Sequence, residues 1–350
     1  MKNQVDITFH PSWWNKYAGI EFDEKFFFDA DYRIQSDMKM RRFLYDFFGD
    51  YGIGEANPQP RPILFSDLIA SGFLYSQLLG CNITFSKDAP PLVHPADLNE
   101  EQTERLTAPD LKSSVIWENI EQQISYMQKK FGYVESAINL MGIQNIALDV
   151  RGQELLLDYY ENPELAHHLL DVVTQLSLKI GKRLYEVSSI ISGGVTSIIK
   201  QTMPSVYLTS NCSVTMISNQ TYCDFLLPYD TILAENFCDF GIHHCGSDME
   251  RVLDGYLKVP HLKFLEIGAG SDLSKIAEIL RQSKRTDILS CIRYSPVKLM
   301  NACRESIQWD SEQAIHAFGS DQNLCFSCVG IDTNVDIESV RNYLSVFRNL

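Results

Sequence analysis

From residue 62 onward, short runs of apolar and β-branched residues alternate with stretches whose apolar positions recur every three or four residues. In SVIWENIEQQISYMQKKFG, Ile116, Ile120, Ile124, Met127 and Phe131 keep that spacing, and Gly132 follows. This pattern predicts an amphipathic helix ended by a glycine. A second helix is predicted over NPELAHHLLDVVTQLSLKIGKRL, where Asn162 can cap the free amides and Pro163 takes the first helical position. His167 and His168 are expected on or near its surface. Two more helical patterns begin at Ser271 (SDLSKIAEIL) and at Asp336 (DIESVRNYLSVFR).

Candidate strands lie between the helical patterns: VTSIIK at 195–200, FGIHH at 240–244, KFLEI at 263–267, DILSCIR at 287–293 and NLCFSCVG at 323–330. Strand and helix alternating in this way imply a parallel sheet with crossover helices, either closed into a barrel or open and doubly wound. Periodicity alone does not choose between them. No repeat or low-complexity tract interrupts the alternation.

Residues 1–60 have a different texture. They are rich in aromatics (Trp13, Trp14, Tyr17, Phe26, Phe27, Phe28, Phe47, Phe48) and run into the proline-rich NPQPRP at 57–62. They are expected to form an extension, a lid or collar packed on a main domain over 61–350. A chain of 350 residues can bury a substantial core, and 45% hydrophobic with 21% charged residues is an ordinary globular composition. The net charge of -15 would repel a phosphate backbone, so nucleic acid is not an expected partner. No apolar stretch suggests a signal peptide or a membrane span, and a cytoplasmic location is expected. Nine cysteines make an odd, scattered set that points to reduced thiols or a metal site rather than to a disulfide framework. Cys81, Cys223, Cys291 and Cys303 have apolar neighbours and are read as plain core residues.

The sharpest local feature is GIHHCGS at 241–247. His243 and Cys245 stand two apart at the end of a predicted strand, so both can face one cavity while His244 faces away. Imidazole nitrogen and thiolate sulfur suit zinc, and a third protein ligand would leave one tetrahedral position for substrate. Cys325 and Cys328, on the last predicted strand, can supply it. Being three apart, they face opposite sides of a regular strand, so only one of them can join the pair.

The segment SVTMISNQTYCDFLLPYDTILAENFCDFGIHHCG (213–246) resembles the uroporphyrinogen decarboxylase superfamily, in particular its cobamide-dependent methyltransferase branch. The likeness runs back through LDVRGQELLLDYYENPELAHHLL and forward through EIGAGSDL and GIDTNVDIESVRNYL, covering residues of about 140 to 345. The resemblance implies a (β/α)₈ TIM barrel and zinc held by His243, Cys245 and a distant cysteine, which falls on Cys328 because CVGID matches the lead into the final helix. It also implies methyl transfer between a corrinoid (cobamide), carried on a partner protein, and a thiol or a small methylated oxygen or nitrogen compound. The arginine-bearing signature with which true decarboxylases begin has no counterpart here beyond MKMRRFL at 38–44. A uroporphyrinogen-type decarboxylase and a non-catalytic corrinoid- or substrate-binding barrel are the competing readings.

Other residues carry weaker expectations. Asn211 is a candidate substrate contact and Cys212 a spare ligand. Asp149 and Arg151 are read first as a structural ion pair at a loop. Glu235 is a candidate to orient the ligand imidazole, or else a solvated side chain. GAGS at 268–271 lacks the third glycine of a dinucleotide fingerprint and reads as a tight turn.

Overall fold

The computed structural model describes residues 4–188, 191, 198–319 and 323–347. Parallel strands β1 (Gln4–Phe9), β2 (Ile63–Phe65), β3 (Glu135–Ala137), β4 (Tyr207–Ser210), β5 (Phe240–His244), β6 (Leu262–Ile267), β7 (Leu289–Tyr294) and β8 (Leu324–Ile331) form a TIM-like barrel with helices between them. A continuous sheet runs from β4 through β5, β6, β7 and β8 to β1. β2 pairs with β3. A single bridge from Met141 to Ser210 carries the chain after β3 onto β4. Among the described residues no ladder joins β1 to β2. Side chains cross that seam instead: Trp14 Nε1 donates to the Leu68 carbonyl at 3.2 Å, and the buried Arg33 donates to the Ile63 and Phe27 carbonyls and to Gln123.

The expected helices form where the pattern places them. One spans Val115–Phe131 and ends on Gly132 in the left-handed conformation. Another spans Pro163–Val187, with the Asn162 side chain accepting from the Leu165 amide. His167 and His168 on it are half-buried. The helices Leu273–Gln282 and Ile337–Phe347 follow the last two patterns. Four of the five predicted strands are present within a residue or two.

Two expectations need correction. The run at 195–200 is not a strand where it is described: Ile198–Thr202 is a helix, and 195–197 lie outside the described residues. Ile198 and Ile199 plug the lower end of the barrel, where a β-branched apolar pair is buried as well in a helix as in a strand. Nor is the region before residue 60 all extension. β1 pairs with β8 from Gln4↔Cys325 to Phe9↔Ile331, so it is a wall of the barrel. The aromatics that follow pack on that strand and on one another: Trp13 stacks on Phe9 with ring centroids 3.8 Å apart and meets Phe43 edge-on at 5.4 Å.

Strand alternation sets the barrel interior in layers. Leu208, Phe264, Cys291 and Cys325 point inward and join Ile198 and Ile199 in an apolar plug. Two residues further along their strands come Glu266, Arg293 and Ser327, with His243 register-paired to Glu266. A polar layer therefore sits on the apolar one, towards the strand ends where barrel active sites form.

Candidate metal centre

Cys212, His243 and Cys245 offer one ligand atom each, and the three atoms lie within 4.8 Å of one another. His243 occupies the inward face near the end of β5, and Cys245 follows two residues later, opening to solvent. Cys212 begins a short helical turn, Cys212–Met216, directly after β4. That turn is held from both sides by the N-terminus of the helix Ile143–Arg151. Asn145 donates to the Ser210 carbonyl at 2.7 Å and accepts from the Ser213 amide at 2.9 Å, while Gln144 donates to the Ser213 carbonyl at 2.9 Å. The Asn211 amide donates to the His243 carbonyl at 2.8 Å, tying the turn to β5.

The imidazole is oriented from behind. His243 Nδ1 lies 2.5 Å from Glu266 Oε2, and both side chains are almost wholly buried. Arg293 Nε lies 3.4 Å from the other oxygen of Glu266. Burial pushes the His243 pKa down, but the Glu266 carboxylate outweighs it and raises the group to about 9. The Nδ1 proton is thus directed at Glu266, which leaves Nε2 as the atom free to bind a metal. The two thiols polarise each other. Cys245 is drawn well below the usual thiol range, first by the hydrogen bond from Cys212 and then, against burial, by His243, while Cys212 is pushed up. One imidazole and two sulfurs, one of them already favouring the thiolate, are a donor set that fits zinc.

Gly268 makes the neighbouring loop crossing possible. A Cβ there would stand 1.8 Å from the Gly246 carbonyl oxygen and 2.8 Å from that of His244. GAGS is a tight turn, as expected, closed by the Ser271 amide on the Gly268 carbonyl at 3.1 Å. It keeps the HHCG segment in place.

The remaining site expectations separate. Cys328 does not join His243 and Cys245. It faces the opposite side of β8, buried in the outer core with Tyr294 and Tyr343 around it, and burial pushes its thiol up to about 12. Cys325 does face inward, but one layer down, in the plug with Cys291. The third member of the cluster is Cys212, the spare candidate. Asn211, the candidate substrate contact, is buried, and its side-chain amide donates to Asp230 at 2.9 Å. His244 faces away from the cluster, as alternation requires, and bonds Tyr256 at 2.9 Å. Glu235 is exposed, and the orienting carboxylate is Glu266 instead. A glutamate in the apolar run KFLEI, two positions past an inward phenylalanine, was the available signal, because an acid is buried there only with partners. Asp149 and Arg151 end a helix and do not pair: Arg151 binds Asp158 at 2.8 Å, and Asp149 accepts from Ser76 at 2.6 Å. Cys81 and Cys291 are buried and Cys223 is half-buried, whereas Cys303 is exposed.

Among the described residues no helix is long and apolar enough to cross a membrane. No family model matches the chain, and no curated protein is similar to it. Solved structures are, including the following two. One is a B12-independent methionine synthase from Shewanella sp. W3-18-1 in complex with selenomethionine, at 10% identity and TM-score 0.48, covering 100% of this chain and 97% of that one. The other is a methyltransferase from Methanosarcina mazei, at 16% identity and TM-score 0.64, covering 99% of this chain and 94% of that one. Over nearly its whole length, then, this chain has the TIM-like barrel fold of a methanogen methyltransferase.

Proposed function

We propose that this chain is a zinc-dependent methyltransferase that moves a methyl group between a corrinoid, carried by a partner protein, and a thiol or a small methylated oxygen or nitrogen compound. The observation that carries the reading is the grouping of Cys212, His243 and Cys245 at the C-terminal ends of adjacent barrel strands. The whole-length likeness to a methyltransferase barrel agrees with it at the level of fold.

Zinc held there would lower the pKa of a bound thiol, or act as a Lewis acid on the heteroatom of a methyl donor. The protein's part is positional. His243 presents Nε2 because Glu266 holds Nδ1, Cys245 presents a sulfur that favours the thiolate, and the Asn145 clamp fixes the turn that carries Cys212. Three protein ligands leave one tetrahedral position for the reacting heteroatom.

Elemental analysis tests the reading. Protein supplied with zinc should hold about one ion per chain, and C212S, C245S and H243A should each release it. Transfer is then assayed with methylcob(III)alamin plus thiols, and with cob(I)alamin plus methyl ethers and amines. Wild-type protein that stays metal-free, or C245S protein with full occupancy, removes the central claim. Conversion of uroporphyrinogen to coproporphyrinogen at about 1 per second would move the assignment to the decarboxylase reading.

A further inference from the structure

Thiols meet at two places among the described residues. Cys291 and Cys325 are register-paired on adjacent strands with a hydrogen bond between them, but both are wholly buried in the apolar plug. Cys212 and Cys245 also share a hydrogen bond, and they lie at the barrel mouth, Cys245 exposed and Cys212 half-buried. Their sulfurs stand within 4.8 Å of each other. Contacts behind the sulfurs hold them there. Asn145 and Gln144 fix the turn after β4 through Ser210 and Ser213, and the Asn211 amide ties that turn to the His243 carbonyl. None of these contacts uses a ligand atom, so the two sulfurs stay in reach of each other whether or not a metal joins them.

We propose that Cys212 and Cys245 are also a modification site: in the zinc-free chain a hydroperoxide joins them as a disulfide, so that the centre is either zinc-bound or cross-linked, never both. The inference rests on the proposed zinc reading and names a regulation of that site. Two steps make the bond. The exposed Cys245 sulfur attacks the peroxide: an S–O bond forms, the O–O bond breaks, and with hydrogen peroxide the departing hydroxide takes the Cys245 proton and leaves as water. The Cys212 sulfur then attacks the sulfur of the Cys245 sulfenic acid: S–S forms, S–O breaks, and the hydroxyl takes the Cys212 proton and leaves as a second water. The two thiols give up two electrons and the peroxide takes them. The second step is intramolecular, between groups that the fold already sets side by side, so it outruns further oxidation of Cys245 to the sulfinic acid. A zinc ligand is a thiolate, and neither sulfur of a disulfide is one, so zinc loses two of its three protein donors together. Zinc bound first has the opposite effect, because it occupies the Cys245 electron pair that would attack the peroxide.

The test is made on the full chain, reduced and stripped of zinc by a chelator, then treated with hydrogen peroxide, alkylated in denaturant and digested. No Lys or Arg lies between Cys212 and Cys245, so chymotrypsin is used: its cuts after Tyr222, Phe237 and Phe240 part the two from Cys223 and Cys238. Mass spectrometry of the unreduced digest should find the Cys212 peptide joined to the Cys245 peptide, with Cys291 and Cys325 alkylated as free thiols. The cross-linked protein should take up no zinc until dithiothreitol restores the thiols, and zinc loaded beforehand should slow cross-linking by about tenfold or more. C212S should stop at a sulfenic acid on Cys245 that dimedone traps, and C245S should leave Cys212 a free thiol. Oxidation of wild-type Cys245 to sulfinic or sulfonic acid with no cross-link, a cross-link from Cys245 to another cysteine, or full zinc uptake by the cross-linked protein overturns the proposal. Reduced wild type that holds no zinc counts against the methyltransferase reading instead, and the cross-link is still read by mass on that same protein.

Discussion

At the scale of single residues, two cysteines that look alike in sequence have opposite fates. Cys328 is fully buried against aromatic rings, where the neutral thiol is favoured, and a metal ligand must give up its proton. Cys212 sits on a clamped turn that brings its sulfur within 4.8 Å of the ligand atoms of His243 and Cys245. C328S should therefore keep its zinc and lose stability, by about 1–2 kcal/mol for a hydroxyl placed in an apolar site, as measured by denaturant unfolding. Zinc loss in C328S with zinc kept in C212S would return the ligand role to the last strand. Glu266 makes a sharper prediction. In the metal-free protein His243 should titrate near 9, and in E266Q it should fall well below that, since burial is then opposed by Cys245 without the carboxylate. Nitrogen NMR of the imidazole reads this directly. E266Q should also weaken zinc binding by about 10–100-fold in chelator competition, the usual effect of removing a ligand's orienting partner.

At the scale of elements, the polar contacts behind the cluster hold the helix Leu227–Asn236 to the turn that carries Cys212. Asp230 on that helix accepts from both Asn211 and Tyr222, yet burial outweighs these bonds and raises its pKa to about 6. A carboxyl raised on folding stabilises the protein fully below its unfolded value of about 4, and that contribution is lost as pH rises through about 6. Compared with wild type at the same pH, D230N should thus gain stability between pH 4 and 7 and hold a constant difference above, with a total swing of about 2–3 kcal/mol. Thermal melts of the two proteins across that range measure it, and a flat difference would mean that Asp230 stays ionised. The loop crossing makes another demand. G268A places a methyl group against the Gly246 carbonyl, so it should lower the melting temperature and weaken zinc binding together.

The elements themselves were legible where a single period governed them. Helices with one apolar face and strands ending in His-x-Cys were read correctly because side-chain spacing and burial coincide there. The segment Ile198–Thr202 was misread because a short β-branched run buried on all sides carries no period that separates helix from strand. Cys212 reads from the sequence only as a spare because it lies on neither a strand nor a long helix. Its closeness to His243 comes from the parallel register of Ser210 with His243, which is a property of the sheet and not of local sequence.

At the scale of the whole molecule, the boundary drawn from texture at residue 60 fails for a physical reason. An aromatic-rich stretch looks like a cover laid on a domain, but QVDITF is a strand whose ladder reaches the far end of the chain. Phe9, at its end, anchors Trp13 and Trp14, and Trp14 in turn reaches the carbonyl of Leu68 beyond β2. The first sixty residues therefore supply one wall and the seam beside it. Removing them would expose the edge of β8 and uncover the apolar outer layer around Phe326, Val340, Tyr343 and Phe347. Deletion of residues 1–60 should give a chain that aggregates, or that melts without a cooperative transition, and that holds no zinc even though every proposed ligand is retained. Circular dichroism melts and elemental analysis of the truncated protein would show this. A soluble fragment with a sharp transition and full zinc occupancy would instead restore the extension reading, with the barrel closing on itself in the absence of β1.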